Sequence, residues 1–434
     1  MHARLPIAVV LAAACLCARG ATFTANQEAD LPDLVPGNGF CNVFPQPGPG
    51  PCTLRAAIME ANALPGADTI DLLAGLHYTL DRAGQGDDTA ALGDLDLTDD
   101  VTIRFFASGE RPVVSAAAID RVFDVIAGDA TLLGFTISGG AATSAAATSG
   151  GGVLVRSGAG SVDLILMHVS GNTAELGGGL YNAGADTRVS GSVFRNNIFR
   201  GDSTATPSGS AIRNRGNLEV AYSVIHDNSG VPITAFDAPS GTFTPTANAI
   251  DSEPQGAGSG ALRIANSSFF RNLGNAVNID DGELELSSAT IAGNSGYGLR
   301  MTDGSVLVHN TMIARNALAD CSIAVAVATD SNRYNLDSDD SCALSGGGSN
   351  HVGVDPHLTP LADHGGPTPT IWPAPNSIAV DHGHPLFTAT GCEDDDQALA
   401  DRPVDFDGDG AALCDIGAVE LQGDVIFFEP FDRI

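Results

Sequence analysis

The sequence contains no lysine, so its 20 basic residues are all arginine. They are outnumbered by 52 aspartates and glutamates, which gives a formal net charge of −32 at pH 7. A surface of this sign repels nucleic acids, anionic membranes and polyuronates, and it keeps an exported protein soluble. The composition therefore argues against a nucleic-acid partner.

Long apolar runs are also scarce, and the clearest one stands at the N-terminus. Residues 1–20 combine a basic start, an apolar run from Leu5 to Cys17 and an exit of small residues, which is typical of a secretory signal peptide. No second run long enough for a transmembrane span follows it. Acylation of Cys15, as in a lipoprotein, is the alternative to cleavage and release.

Cysteine is infrequent, and six of the eight cysteines remain after residues 1–20 are removed. Six cysteines allow fifteen pairings, and their grouping favours the sequential one, with separations of 11, 21 and 22 residues. Three local bridges fit an exported protein, because disulfides persist in oxidising compartments. The predicted pairs are Cys41 with Cys52, Cys321 with Cys342, and Cys392 with Cys414.

A short phrase occurs six times: an apolar residue, two variable positions and an asparagine. Successive asparagines are 25, 31, 44, 22 and 22 residues apart. A period near 22 indicates a solenoid, and the longer gaps indicate loops added to a constant unit. We expect the asparagines to stack at one turn as a structural ladder. They are Asn172, Asn197, Asn228, Asn272, Asn294 and Asn316.

Each repeat unit is expected to hold three short strands. Alternating apolar residues such as Leu284 and Leu286 have the period of a half-buried strand, with Gly, Asn and Asp turns between strands. Three such strands fill about 22 residues, as one rung of a parallel β-helix does. In the longest gap, residues 233–235 are predicted to correspond to 277–279, which leaves 238–259 as a loop.

An amphipathic helix is predicted before the rungs. Residues 54–61 carry apolar side chains at helical spacing, Thr53 is a suitable N-cap and Pro65 ends the segment. An open solenoid end exposes strand edges and apolar interior, so a capping element is expected there. This interpretation gives Arg55 and Glu60 structural roles rather than catalytic ones.

The same N-terminal segment resembles a known module. Residues 52–62, read as Cys-Thr-Leu-Arg-Ala-Ala-Ile-Met-Glu-Ala-Asn and continued by 64–70, are similar to the CSLREA-type module of secreted bacterial β-helix proteins. Thr53 and Ala56 replace the serine and glutamate of that motif. Near the other end, residues 361–370 and 414–420 resemble the module of choice-of-anchor β-helix proteins.

The resemblance implies a single-stranded, right-handed parallel β-helix of the pectin-lyase-like type, with an N-terminal capping helix and an irregular, disulfide-closed C-terminal cap. It implies export by a bacterium, and such families mostly lack an assigned activity. The expected organisation is a signal peptide at 1–20, an N-terminal cap at 21–68, rungs at 69–350, and a C-terminal cap with a tail at 351–434.

Calcium is the cofactor that the sequence allows. Asp405, Asp407 and Asp409 alternate with Phe406 and glycine, which clusters the oxygens that a hard cation needs. The loop is not an EF-hand, because its twelfth position, Ile416, offers no bidentate oxygen. A solvated acidic loop is the alternative.

Candidates for catalysis are weak. Arg195, Arg271 and Arg315 precede turn asparagines and could line one face as lyase bases, but their repeat position favours a structural stripe. Asp281 lies in a segment that faintly resembles the acidic motif of polygalacturonase-like hydrolases, and it also fits a turn. Two late histidines, His382 and His384, could bind a metal together with Asp381, but no further ligand is evident.

These observations favour an exported, non-catalytic protein, secreted or held at the bacterial cell surface in association with the outer membrane. Its expected role is adhesion or the binding of surface glycans or proteins along the rungs. No catalytic residue is assigned. The alternative is a polysaccharide lyase or glycoside hydrolase that acts on extracellular glycans.

Overall fold

The computed structural model describes residues 20–423, apart from 46–47, 49, 145–147, 201–207, 231–246, 254–259, 325–327, 345–348 and 385–391. The side chains of 328–332 are also outside this description, as are the predicted signal peptide with Cys15 and the C-terminal tail. Among the described residues, every pairing between named strands is parallel, and one α-helix precedes the rungs. The predicted parallel β-helix is confirmed.

Two eleven-stranded sheets run the length of the solenoid. Sheet A contains β1 (Thr22–Ala25), β2 (Asp68–Leu72), β5 (Val101–Arg104), β8 (Ala130–Leu133), β12 (Ser161–Ile165), β16 (Asp186–Ser190), β20 (Asn217–Ala221), β24 (Ala261–Ala265), β27 (Glu283–Ser287), β30 (Ser305–His309) and β33 (Ala328–Arg333). Sheet C contains β3 (His77–Thr79), β6 (Val113–Ser115), β9 (Thr136–Ser138), β13 (His168–Ser170), β17 (Val193–Arg195), β21 (Val224–His226), β25 (Ser268–Phe270), β28 (Thr290–Ala292), β31 (Met312–Ala314), β34 (Leu336–Asp337) and β35 (His351–Val352).

Two further sheets complete the wall. Sheet B contains β4 (Leu95–Leu97), β7 (Phe123–Val125), β11 (Val153–Val155), β15 (Leu180–Asn182), β19 (Gly209–Asn214), β23 (Ala247–Ser252), β26 (Gly274–Ile279), β29 (Tyr297–Met301) and β32 (Ala319–Ile323). Sheet D contains β10 (Ala141–Ala142), β14 (Thr173–Ala174), β18 (Ile198–Phe199) and β22 (Ser229–Gly230). A rung passes from sheet A to C, through D where it exists, to B, and then enters the next rung.

Alternation of side chains builds the core. In β12, Val162 and Leu164 are fully buried in the central apolar cluster, and Asp163 between them points outward. The same pattern recurs in neighbouring rungs, so inward residues stack on one another. One continuous apolar cluster results, extending from Phe23 to Cys342, and burial of this surface is the main favourable contribution to folding.

The predicted N-terminal helix is α1 (Leu54–Ala63), and it closes the first rungs. The Thr53 hydroxyl caps it by accepting the Ala56 N–H at 3.1 Å. Arg55, on the buried face of this helix, pairs with Asp30. Its guanidinium also donates to the carbonyl oxygens of residues 90, 93 and 94 at 2.8–3.1 Å. Glu60 accepts backbone N–H groups from Gly37 and Gly39. These contacts give both residues structural roles.

Six buried asparagines lie in line at the turn after sheet C. Each side-chain Nδ2 donates to the Oδ1 of the next asparagine at 2.9–3.1 Å, and that oxygen also accepts the backbone N–H of the preceding asparagine. Asn316 donates instead to Oδ1 of Asp320 at 2.9 Å, so a carboxylate ends the row. The row consists of Asn172, Asn197, Asn228, Asn272, Asn294 and Asn316.

The residue before each of these asparagines has a positive φ, between 51° and 68°. Glycine accepts this backbone region without strain, whereas other residues enter it at a cost of roughly 1 kcal/mol. The tight turn exposes the side chain at this position and places the next one inside the wall. The residues are Gly171, Asn196, Asp227, Arg271, Gly293 and Arg315.

Two more polar rows occupy the other corners. At the turn between sheets A and C, the Ser223 hydroxyl accepts the Ser192 N–H at 3.0 Å, and the Ser267 hydroxyl accepts the Ser223 N–H at 3.1 Å. At the turn between sheets B and A, Asn182 donates to Asn214 at 3.0 Å. Hydroxyl and amide side chains therefore satisfy buried backbone groups at all three corners.

The predicted correspondence of residues 233–235 with 277–279 is wrong. The segment that pairs with Val277, Asn278 and Ile279 is Ile250, Asp251 and Ser252 in β23, and 233–235 lie outside the described residues. The inserted chain therefore precedes the strand instead of following it. Equal offset from the turn asparagine was a poor guide, because an insertion can fall on either side of a strand.

The C-terminal cap extends from the last rungs back along the side of the solenoid. It covers the corner between sheets A and C in four consecutive rungs. The Cys392–Cys414 disulfide joins two segments of the cap. The other two disulfides, Cys41–Cys52 and Cys321–Cys342, lie near the first and the last rungs. The contacts run from Gly417 to Asn310, from Ala418 to Thr290, from Asp395 to Asn266 and from Gln397 to Ser223.

Replacing the central Asn228 by alanine should lower the unfolding free energy by about 3 kcal/mol, because buried partners on both neighbouring rungs lose their hydrogen bonds. Asn217→Ala, at an exposed position of β20, is the control and should cost less than about 1 kcal/mol. Urea unfolding followed by circular dichroism measures both. Equal losses in the two variants would contradict a special role for the row.

Candidate functional site

The outward face of sheet B carries one side chain per rung in a continuous row. Strand register aligns these residues, and most are largely buried even though they point away from the central core. The row begins with two acids, continues through an apolar and an aromatic residue, and ends with two arginines, one aspartate and one asparagine. Its members are Asp96, Asp124, Leu154, Tyr181, Arg213, Asp251, Asn278 and Arg300.

A buried group of acids surrounds the start of this row. Asp96 accepts the Ala90 N–H at 2.7 Å through Oδ2, whereas its Oδ1 has no hydrogen-bond partner among the described residues. Asp124 is contacted by two guanidinium groups, those of Arg121 at 2.6 Å and Arg156 at 2.8 Å. Arg156 also reaches Asp88 at 2.5 Å. The group therefore combines excess carboxylates with two arginines.

Burial dominates the electrostatics of this group. It raises the pKa of Asp94 to about 8, with a further increase from Asp96 and an opposing effect from Arg121. Burial likewise raises the pKa of Asp96 to about 7, opposed by the backbone N–H of Ala90. Both shifts have the same main cause, because burial penalises the charged form of a carboxylate.

Further along the same face, Arg213 is buried between two carboxylates. Its guanidinium contacts Asp251 and Glu253, and Arg215 lies 4.0 Å from Glu253. Burial lowers the pKa of Arg213, which its carboxylate neighbour Glu253 opposes. Next to this pair, Arg300 donates to Asn278 at 2.8 Å.

The outward face of sheet A carries charges of alternating sign. Successive rungs place Asp163, Arg188, Glu219, Arg263 and Glu285 opposite one another in register. The ion pairs span 3.2 Å from Arg188 to Glu219, and 3.8 and 3.7 Å from Arg263 to Glu219 and Glu285. Arg263 also lies 3.3 Å from Glu393 of the cap. An open groove of about 400 Å³ runs over this row, lined by hydroxyl, amide and charged side chains.

A second concavity lies beside an exposed phenylalanine. Phe106 follows β5 and is 84% exposed, the largest exposure among the described large apolar residues. Together with Phe105, Arg111 and Leu166 it lines an open pocket of about 520 Å³. The Arg111 guanidinium is anchored by the Leu166 carbonyl oxygen. An exposed aromatic ring in a concave surface is a common feature of binding sites.

The sequence-based candidates have the following positions. Arg271 pairs with Asp227 at 2.7 Å and Arg315 with Asp355 at 2.5 Å, while Arg195 is an exposed residue at the end of β17. The Asp227 carboxylate raises the pKa of Arg271, which keeps that guanidinium protonated. Each therefore occupies a turn or strand-end position on the outside of the wall.

Asp281 and the late histidines are likewise at structural positions. Asp281 is exposed and accepts the Gly282 N–H at 2.7 Å in a turn. The His382 ring donates to the Val380 carbonyl oxygen at 2.6 Å. The backbone N–H of His384 donates to Asn310 at 3.1 Å, and its ring packs edge-on against Tyr334. Neither histidine belongs to a group of three possible metal ligands among the described residues.

The predicted calcium residues are only partly together. Asp405 and Asp407 form a group of carboxylates with Asp381, and Asp409 is outside that group. Sequence reasoning missed Asp381 in this group, and it also missed Asp96, Phe106 and the charge row on sheet A. The charge row had a detectable signal: Arg188, Glu219, Arg263 and Glu285 follow one another at 31, 44 and 22 residues, the same intervals as the turn asparagines.

Among the described residues, no helix has the length and apolar character needed to span a bilayer. No protein-family model matches the chain, and no curated protein matches it. It is similar to the solved structure titled "Crystal structure of pectate lyase Pel9A", with a TM-score of 0.50, 14% identity, and coverage of 93% of this chain and 98% of that one.

A structure titled "Rhamnogalacturonan lyase" matches with a TM-score of 0.47, 13% identity, and coverage of 80% and 92%. At 14% identity, the first similarity concerns the fold and leaves activity open. Together with the parallel sheets, it identifies the architecture as a right-handed parallel β-helix with an N-terminal capping helix and a disulfide-closed C-terminal cap.

The raised pKa of Asp94 predicts that the stability of the folded chain depends on pH. Because the folded chain holds this proton more tightly than the unfolded chain, stability from Asp94 is greatest at low pH and is lost as pH rises from about 4 to about 8. Asp94→Asn should flatten the fall in unfolding free energy between about pH 5 and pH 8 by on the order of 3 kcal/mol. Asp303→Asn, in an exposed turn, is the control. Identical slopes in wild type and Asp94→Asn would contradict the assignment.

Proposed function

We propose that this chain is an exported β-helix rod that binds neutral glycans along the outer face of sheet A without cleaving them. The observation that carries the proposal is the pairing of charges on that face. Four of its residues, Arg188, Glu219, Arg263 and Glu285, alternate in sign from rung to rung and form ion pairs with one another. The face therefore offers hydrogen bonds to sugar hydroxyl groups without an unpaired acid and base around a scissile bond.

The binding surface combines two kinds of contact. The groove over β12, β16, β20 and β24 offers carboxylate, guanidinium, amide and hydroxyl groups at short intervals. The pocket at Phe106 adjoins the turn that follows β12, and its ring gives an apolar platform for the C–H face of a sugar. Polar groups that orient a ligand and an apolar surface that it covers are the usual composition of a binding site.

The setting supports a role outside the cell. Three disulfides persist only in an oxidising compartment, and the net charge of −32 disfavours polyanionic ligands. The resemblance of both termini to modules of exported bacterial β-helix proteins points the same way. We therefore propose secretion, or attachment at the bacterial outer surface, with neutral surface glycans as ligands.

Lyase activity is the competing function, and one observation favours it. The chain shares its fold with a pectate lyase, and Arg213 lies beside Asp251 and Glu253 on the outer face of sheet B. Burial lowers the pKa of Arg213, as a general base in a β-elimination requires. Its two carboxylate contacts oppose that role, because they hold the guanidinium protonated.

Binding is tested with immobilised neutral and acidic glycans and the mature chain. Phe106→Ala should weaken binding to neutral glycans about five- to tenfold, since an aromatic platform contributes roughly 1 kcal/mol beyond its buried area. Phe40→Ala, another exposed phenylalanine, is the matched control and should bind like wild type. Unchanged affinity in Phe106→Ala, or equal losses in both variants, would contradict binding at this pocket.

Catalysis is tested on the same glycans by assays for new reducing ends and for unsaturated products. We expect no turnover by the wild-type chain, with or without calcium. If products form and Arg213→Ala abolishes them while Arg188→Ala does not, the chain is a lyase with its centre on sheet B. That result would replace the proposed function.

A further inference from the structure

The C-terminal cap contains a group of three carboxylates from two separate segments. Asp381 comes from one segment, and Asp405 and Asp407 come from the next. One carboxylate oxygen from each lies within 4.8 Å of the other two. Asp381 is buried, Asp405 is half-buried and Asp407 is exposed. The group is therefore open to solvent on one side and closed on the other.

Asp381 also carries a buried carboxylate oxygen that has no hydrogen-bond partner among the described residues. Its side chain is 6% exposed, and its Oδ2 accepts the Asp407 N–H at 2.9 Å. The remaining oxygen, Oδ1, is the buried one. A buried carboxylate oxygen without a partner is rare in folded proteins, because its desolvation is uncompensated.

Nothing among the described residues neutralises the three charges. None of the ion pairs there involves Asp381, Asp405 or Asp407, and the His382 ring next to Asp381 is bound to the Val380 carbonyl oxygen. Ionised carboxylates at this distance repel one another, and a bound cation would remove that repulsion.

Backbone N–H groups within the loop at 405–410 orient its carboxylates. Asp405 accepts N–H groups of Gly408 and Gly410 at 2.8 and 3.0 Å, one on each carboxylate oxygen. Asp407 accepts the Asp409 N–H through Oδ1 at 3.0 Å. Each of these oxygens retains a lone pair, so the loop fixes the direction of its carboxylates without exhausting them.

The geometry points to a calcium site formed by Asp381, Asp405 and Asp407. The ligands are all hard oxygens with no histidine or cysteine among them, which suits calcium or magnesium and disfavours zinc. Calcium fits better, because it accepts irregular geometry and six to eight oxygens, with water filling the exposed side. Asp381 replaces Asp409, which the sequence motif alone had indicated as the third ligand.

Calcium at this site would fasten two segments of the cap to each other. The Asp381 N–H donates to Asp415 at 2.8 Å, and the carbonyl oxygen of Asp415 accepts from Asn310 in the rungs at 3.0 Å. The loop at 405–410 has no comparable link to the rungs among the hydrogen bonds of the described residues. A bound ion would therefore attach this loop to Asp381 and, through Asp381 and Asp415, to the rungs.

Thermal unfolding and calorimetric titration of the mature chain test this site, after removal of metals with EDTA. Wild type should bind one calcium ion and gain on the order of 3 °C in Tm at about 10 mM calcium. Asp381→Asn should lose this gain, and without calcium it should be at least as stable as wild type because a repulsive charge is removed. Asp407→Asn, at an exposed position, should lose the gain as well.

Asp409→Asn is the matched control, since this residue belongs to the same loop but lies outside the group. It should keep the calcium-dependent gain in Tm and the heat of binding. Absence of calcium binding to wild type, or a full gain retained in Asp381→Asn, would overturn the site. An equal loss in Asp409→Asn and Asp381→Asn would overturn the assignment to these three residues.

Discussion

The vertical register of the rungs is the constraint on which this molecule depends. Parallel strands from successive rungs must pair residue for residue, because a slip of one position would turn every inward side chain outward. The stacking of apolar side chains opposes such slips within the strands. It does not fix the register at the corners, where the chain turns from one sheet to the next. The buried carboxamides provide that specification, since each one bonds to the next and to backbone groups of an earlier rung.

At each of the three corners, backbone N–H groups need hydrogen-bond acceptors, and a different kind of side chain provides them. Carboxamides fill the corner after sheet C, hydroxyl groups fill the corner after sheet A, and a shorter amide row fills the corner after sheet B. Each choice supplies an oxygen to a backbone N–H that has no strand partner at the bend. Because these groups are satisfied inside the wall, the outward positions of the strands are free for other uses.

Those outward positions explain how so acidic a chain can stack its rungs. Like charges in register would face each other about 4.8 Å apart along the whole solenoid. On sheet A the signs alternate instead, and exposed Arg271 and Arg315 each meet an aspartate from elsewhere in the chain. Such surface pairs contribute little individually, but their arrangement removes a repulsion that would recur at every rung.

The spacing of the turn asparagines is enough to predict the solenoid, and the capping helix follows from a helical pattern with a suitable N-cap. Contacts between residues far apart in the sequence were harder to predict. The insertion after Asn228 could not be positioned, because Ile250 and Ile233 fit the strand equally well by composition. Asp381 could not be linked to Asp405, because the irregular cap has no period from which their proximity follows.

The cap also has a mechanical effect. A rod of repeats ordinarily loses its terminal coils one at a time, since each coil contacts only its neighbours. Here two non-repeating segments of the cap, 395–397 and 417–418, contact Ser223, Asn266, Thr290 and Asn310 in four successive rungs. Separating any of these four rungs from its neighbours would require the cap to detach from it, and the cap is also bound to the other three. We therefore expect these four rungs to unfold together and not one at a time.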